Sequence, residues 1–333
     1  MLIEEILPDM QVVSYDPAIA VFYKVKRLKM GDSKKSTIKI MLGLLVLITI
    51  NLTGDSGYGF SKYEPPDGKV IHGLGQYVPY YYTDAENWQY VSEYQETVGS
   101  MPVIYSVYVS LDPDSDLIDA TDPIAIIKDR GHQYLLNIGI SLQSVQSWLA
   151  GSASIPASSI LNGEWDSRIK SLAQQIKSLN APVYARPGFE FGEANKGVHS
   201  DPRLTAAEFK AIWIYIHNFF KKENVTNVAW VWNTVNPWMF DYNEWYPGSP
   251  YVDWWGINYF TREQMILSDP FIEDAKENGK PVMICESSPI HNDGAGNPEN
   301  WGNWYRPFFN KIMQYEHIKA FIYISDPWDK DNF

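Results

Sequence analysis

The sequence predicts an α/β protein folded as a (β/α)8 TIM barrel, and three observations predict it. Eight short runs rich in apolar and β-branched residues recur between Lys69 and Ser325. Segments with apolar residues at helical spacing separate them, which is the pattern of parallel strands joined by helical crossovers. A barrel takes roughly 250 residues, and the stretch from 65 to 333 supplies them. A doubly wound open sheet is the alternative fold.

Taken in order, the strands are read over 69–77, 102–110, 133–141, 182–190, 228–234, 252–259, 281–286 and 319–325. Each is nearly continuously apolar, as strands covered on both faces are. Before the fourth strand, Trp165, Ile169, Leu172, Ala173 and Ile176 fall on one helical face. After it, Phe209, Ile212, Trp213, Ile216 and Phe220 do the same, with Thr205 and Glu208 spaced as a capping box at the helix start. The Ser/Gly/Pro-rich stretch 151–159 is read as a surface loop, because alternation continues on both sides of it. The sequence stops at Phe333, shortly after the eighth strand, so a barrel without its last helix is expected.

Residues 56–333 are therefore assigned to one barrel domain. Ahead of it, Lys34, Lys35 and Lys39 precede the apolar run Ile40–Ile50, which is too short to span a bilayer comfortably. Residues 30–55 are read as a signal peptide or an uncleaved membrane anchor, and a secreted or membrane-anchored product is expected. Residues 1–29 stay unassigned. Asn51 and Asn224 fit the glycosylation acceptor pattern.

Seven of the 27 basic and five of the 40 acidic residues precede Asn51, leaving 20 against 35 in the body. So acidic a body repels phosphate backbones, and no nucleic-acid partner is expected. The single cysteine, Cys285, lies in an apolar run and is read as a small buried hydrophobe. The six histidines lack His-x-x-x-His spacing, so neither a metal nor a cofactor is expected. Asp112, Asp114 and Asp116 imitate a calcium loop, but Leu117 stands where glycine is needed and Pro123 where glutamate is needed. The loop 291–297 contains no Lys or Arg to hold phosphate. Lys69, Lys280 and Lys319 begin strands, at the end of a barrel opposite the working face, which disfavours Schiff-base chemistry.

Two carboxylates stand out against this background. Glu190 closes the fourth strand and Glu286 the seventh, and a charge at the end of a buried strand is costly unless it is paired or used. Across a barrel mouth, two such groups can act on a glycosidic bond from opposite sides. By period-two alternation Tyr184, Arg186, Gly188 and Glu190 share a face, which puts a guanidinium on the side of the first carboxylate. Trp232, Trp255 and Trp328 lie at or just beyond other strand ends and are candidate sugar platforms, with interior packing as the alternative. Tyr259 is the candidate hydrogen-bond partner of Glu286.

Four segments carry a family resemblance: Arg186-Pro-Gly-Phe-Glu190-Phe, Val228-Ala-Trp-Val-Trp232, Tyr246-Pro-Gly248 through Gly256, and Lys280 through Ser288. In this order they resemble glycoside hydrolase family 26 and its close relatives in clan A, over roughly residues 65–333. The resemblance implies a retaining endo-β-glycanase, with Glu190 as acid/base and Glu286 as nucleophile. β-Mannan is the first substrate it implies, with β-1,3-xylan and mixed-linkage glucan as alternatives. It implies a polysaccharide partner, and a monomer is expected. The sequence departs from the pattern at Phe189, where the family carries histidine, and in Ser325-Asp-Pro ahead of Trp328. A catalytically silent carbohydrate-binding barrel is the competing reading, motivated by Phe189 and by the expected lack of the last helix.

Overall fold

A computed structural model describes residues 10–12, 21–24, 61–75, 84–111, 130–142, 157–192, 204–290 and 300–324. The readings on segment 30–55, on Asp112–Asp116, on the loop 291–297 and on Trp328 lie outside the described residues.

Eight parallel strands close into a barrel: β1 (Lys69–Gly75), β2 (Ile104–Ser110), β3 (Leu135–Ser141), β4 (Val183–Pro187), β5 (Val228–Thr234), β6 (Trp254–Tyr259), β7 (Val282–Ser287) and β8 (Ile318–Ile324). Each pairs with its successor, and β8 pairs with β1 to complete the circle. All eight predicted strands are present. The fourth is shorter than the sequence suggests: regular pairing ends at Pro187, and Gly188 turns into the left-handed region at φ +56°.

Alternation along these strands separates two apolar layers. Ile71, Ile104, Tyr184, Val231, Trp254, Met283, Cys285 and Ile322 fill the barrel interior. The opposite faces pack outward on the helices. Helix α1 (Asp84–Val98) follows β1, α2 (Asp166–Ser178) precedes β4 and α3 (Ala206–Lys222) follows it. Helices α4 (Asp269–Glu277) and α5 (Arg306–Gln314) precede β7 and β8. The buried stripe of α3 is Phe209, Ile212, Trp213, Ile216 and Phe220, and each such side chain contributes about 1.5–3 kcal/mol on leaving water. Its capping box forms as expected, the Thr205 hydroxyl accepting the Glu208 N–H at 3.2 Å and Glu208 accepting the Thr205 N–H at 2.9 Å.

The chain entering β1 seals the N-terminal end of the barrel. Tyr184 donates its hydroxyl to the Tyr63 carbonyl at 2.9 Å, and the Trp254 indole donates to the Lys62 carbonyl at 2.7 Å. Lys319 bonds Asp67 at 2.6 Å below them. Met10–Val12 pairs antiparallel with Val21–Lys24, which in turn pairs antiparallel with Lys69–Ile71 at the same end. The opposite, C-terminal end is left for chemistry.

Candidate active site

Two backbone irregularities turn the carboxylates toward each other's side of the mouth. Met283 and Cys285 point into the barrel and Ile284 points out, so strict alternation would send Glu286 outward. A register shift prevents this: Ile257 pairs with Ile284, but the next residue, Asn258, pairs with Glu286. The extra residue is a β-bulge, which bends the strand and re-aims the side chain after it. At β4, the turn through Gly188 continues to Glu190 at φ +56°. A non-glycine residue there stores roughly 1–3 kcal/mol of strain, held in place by packing and by pairing of the next residue. Phe191 bridges to Thr234 of β5, whose hydroxyl donates to the Phe191 carbonyl at 3.0 Å.

A continuous chain of buried hydrogen bonds then joins the two acids. Arg186 donates from Nη1 to Glu286 Oε1 at 2.7 Å and to Asn233 Oδ1 at 2.9 Å. Asn233 donates from Nδ2 to Asn258 Oδ1 at 3.1 Å, and Asn258 donates from Nδ2 to Glu190 Oε1 at 2.7 Å. Four strand ends thus contribute one network. Arg186 also lies over the Phe189 ring, 4.9 Å from its centroid, and Phe189 packs 5.5 Å from Tyr108.

Electrostatics separates the two carboxyls. Burial, and next the negative charge of Glu286, push the pKa of Glu190 up to about 8, against smaller opposing effects from Asn258 and Arg186. Glu190 is therefore protonated at neutral pH. Glu286 faces a guanidinium at 2.7 Å. Burial works most strongly against the Arg186 charge, but Glu286, Cys285 and Tyr108 together outweigh it, and the net shift is upward. Burial and then Glu286 likewise raise the Tyr108 phenol well above its ordinary range. One acid keeps its proton while the other sits beside a cation, an arrangement suited to general-acid and nucleophilic roles.

The structure thus brings Glu190, Glu286 and Arg186 together. It does not bring Trp232, Trp255 or Tyr259 to them. Both tryptophans are fully buried on the outward parity, their rings 4.8 Å apart and packed against Phe271. They are core residues here, which corrects their reading as sugar platforms. The Tyr259 hydroxyl bonds Ser268 at 2.6 Å, so Tyr259 is no partner of Glu286. Alternation explains all three: Trp232 and Tyr259 adjoin the inward-facing Asn233 and Asn258, and Trp255 lies three residues before Asn258, an odd spacing that turns it outward as well. Those asparagines were missed, although an amide in a strand end otherwise made of apolar residues marks the inward face.

Removing Arg186 tests how far the network depends on it. Arg186→Met should lower stability by about 3–5 kcal/mol, since it leaves Glu286 buried without its cation. Urea unfolding followed by tryptophan fluorescence at neutral pH measures this, and a loss under about 1 kcal/mol would mean that solvent already screens the pair.

Comparison with known proteins adds independent findings. Residues 129–286 match the model of Glycosyl hydrolase family 26. A β-1,3-xylanase from a Vibrio species is 24% identical over 289 residues, covering 79% of this chain and 59% of the relative. A β-1,3-xylanase from an Alcaligenes species is 22% identical over 284 residues, covering 79% and 58%. The chain spans less than two thirds of the length of either relative. Among solved structures, a Bacillus subtilis mannanase is similar with a TM-score of 0.57 at 18% identity, over 80% of this chain and 83% of that one. The catalytic domain of an endo-β-1,4-mannanase from Bacillus sp. JAMB-750 gives 0.54 at 19% identity, over 77% and 76%. At such identity the likeness concerns the barrel alone.

Proposed function

We propose that this chain, which matches the model of glycosyl hydrolase family 26 over residues 129–286, is a hydrolase of that kind and cuts the backbone of a β-linked polysaccharide with retention of configuration. One observation carries the proposal: Glu190 and Glu286 terminate a single hydrogen-bonded chain at the barrel mouth, the first with its pKa raised to about 8 and the second beside Arg186.

In the first step a Glu286 oxygen attacks the anomeric carbon, and the glycosidic C–O bond breaks as Glu190 gives its proton to the leaving oxygen. Esterification removes the negative charge that helps hold Glu190 protonated, so its pKa falls. Glu190 then takes a proton from water, the water oxygen bonds the anomeric carbon, and Glu286 leaves as carboxylate. One water is consumed for each bond cut. Arg186 stabilises Glu286 as attacking and as departing anion.

For substrate, we place β-1,3-xylan first, supported by the two β-1,3-xylanases that align with 79% of this chain. β-Mannan, which the resemblance of the motifs puts first, comes second. Secretion or membrane anchoring, the two outcomes expected from the run at Ile40–Ile50, would bring the enzyme to such polymers. Incubation with β-1,3-xylan, β-mannan, mixed-linkage glucan and algal polysaccharides, with early proton NMR of the products, tests the whole reading. The β-anomer should appear first and mutarotate later. An α-anomer first would mean inversion, and no release from any polymer would remove the hydrolase.

A further inference from the structure

The direction of the hydrogen-bonded chain follows from its first member. Arginine has donors only, so the Asn233 oxygen must face Arg186 and its NH2 must face onward. That NH2 meets the Asn258 oxygen, which turns the Asn258 NH2 toward Glu190. Neither amide can flip without setting donor against donor. Asn233 is held further by a second donation, from Nδ2 to the Thr234 carbonyl at 3.3 Å. Both amides are buried, where no water can relieve a mismatched pair.

We infer that Asn258 is a positioning residue for the reaction: it binds Glu190 through Oε1, so the acidic proton is carried and delivered by Oε2. An N–H donor is best accepted by the carbonyl oxygen of a neutral carboxyl group, and the O–H then resides on the other oxygen. The same bond ties the acid's orientation to that of the nucleophile, because Arg186 anchors both branches from one nitrogen. Asn258 also moderates the acid, opposing burial and the charge of Glu286. The role has a structural cause at the bulge, since pairing of Asn258 with Glu286 sets the two side by side on β6 and β7. This inference rests on the hydrolase reading and specifies how its acid works.

Two variants and one measurement on the unaltered chain test it. Asn258→Asp keeps the shape but brings a negative charge and no N–H; Asn258→Leu keeps approximate bulk without polarity. Both should lower kcat/KM by about 10–100-fold on an unactivated β-linked oligosaccharide, which needs the proton, and far less on an aryl glycoside with a good leaving group. Both should move the alkaline limb of the pH profile upward. Should Asn258→Leu fail to fold, Asn258→Asp carries the comparison. In the wild-type full-length chain, labelled with 15N-asparagine, one side-chain NH2 should titrate with the midpoint of that limb. Equal losses on the two substrates with an unmoved limb, or no titrating amide, would overturn the role of Asn258 while leaving hydrolysis standing. A wild-type chain inactive on every substrate would overturn both.

Discussion

Glu286→Gln should reduce kcat on an activated aryl glycoside by several orders of magnitude while KM changes little. The aryl leaving group needs no proton, so the assay isolates attack on the anomeric carbon. Glutamine matches glutamate in shape and offers Arg186 an oxygen where Glu286 accepts at 2.7 Å, but an amide forms no stable glycosyl ester. The substitution therefore removes a bond made in the reaction and not merely a contact. It also leaves the Arg186 cation facing a neutral group in a buried site, so the melting temperature should fall in parallel; the assay is read at temperatures where the variant is folded. Residual activity within about tenfold of wild type would remove Glu286 as nucleophile. The competing reading, a silent carbohydrate-binding barrel suggested by Phe189, expects a different pattern: binding of polysaccharide without turnover in the unaltered chain, and no effect of the substitution beyond affinity.

How much of this was legible beforehand depends on which physical signal each feature leaves in the residues. The eight strands were, because helices and interior both demand apolar cover and the runs stand out from their flanks. The α3 cap was, because its two residues sit at fixed spacing. The same double covering hid which way each strand side chain points. In Trp230-Val-Trp232-Asn233, both parities are apolar until the last residue, so large aromatic rings drew attention while the amide held the inward face. The acids at 190 and 286 stand out in the sequence because charge at a strand end is costly. How they reach the mouth was illegible: one depends on a bulge after Ile284, the other on a left-handed backbone at Glu190. Glycine would adopt that backbone at less cost, and a glutamate there is a place where local preference yields to the site.

These two irregularities place a buried acid where it is most expensive, and Glu190→Gln exposes both sides of that exchange. On a polysaccharide or an unactivated oligosaccharide, kcat/KM should fall by about 10²–10⁴-fold, the usual contribution of a general acid. On an aryl glycoside the loss should be much smaller for the first step. The intermediate then accumulates, because no base remains to activate water, and a burst of phenol should precede a slow steady state. Wild type should lose activity as pH rises through about 8, where Glu190 gives up its proton; the variant should lack that limb. Stability moves the other way. A carboxyl whose pKa is raised in the folded state contributes stability fully below its unfolded value, about 4.3, and loses it as pH rises through about 8. Glutamine has no proton to lose, so the variant should match wild type near pH 4 and exceed it above pH 8, by several degrees in Tm. A variant that loses activity without gaining alkaline stability would mean that Glu190 is ionised and solvated in the folded chain, and the acid of the reaction would have to be sought elsewhere at the mouth.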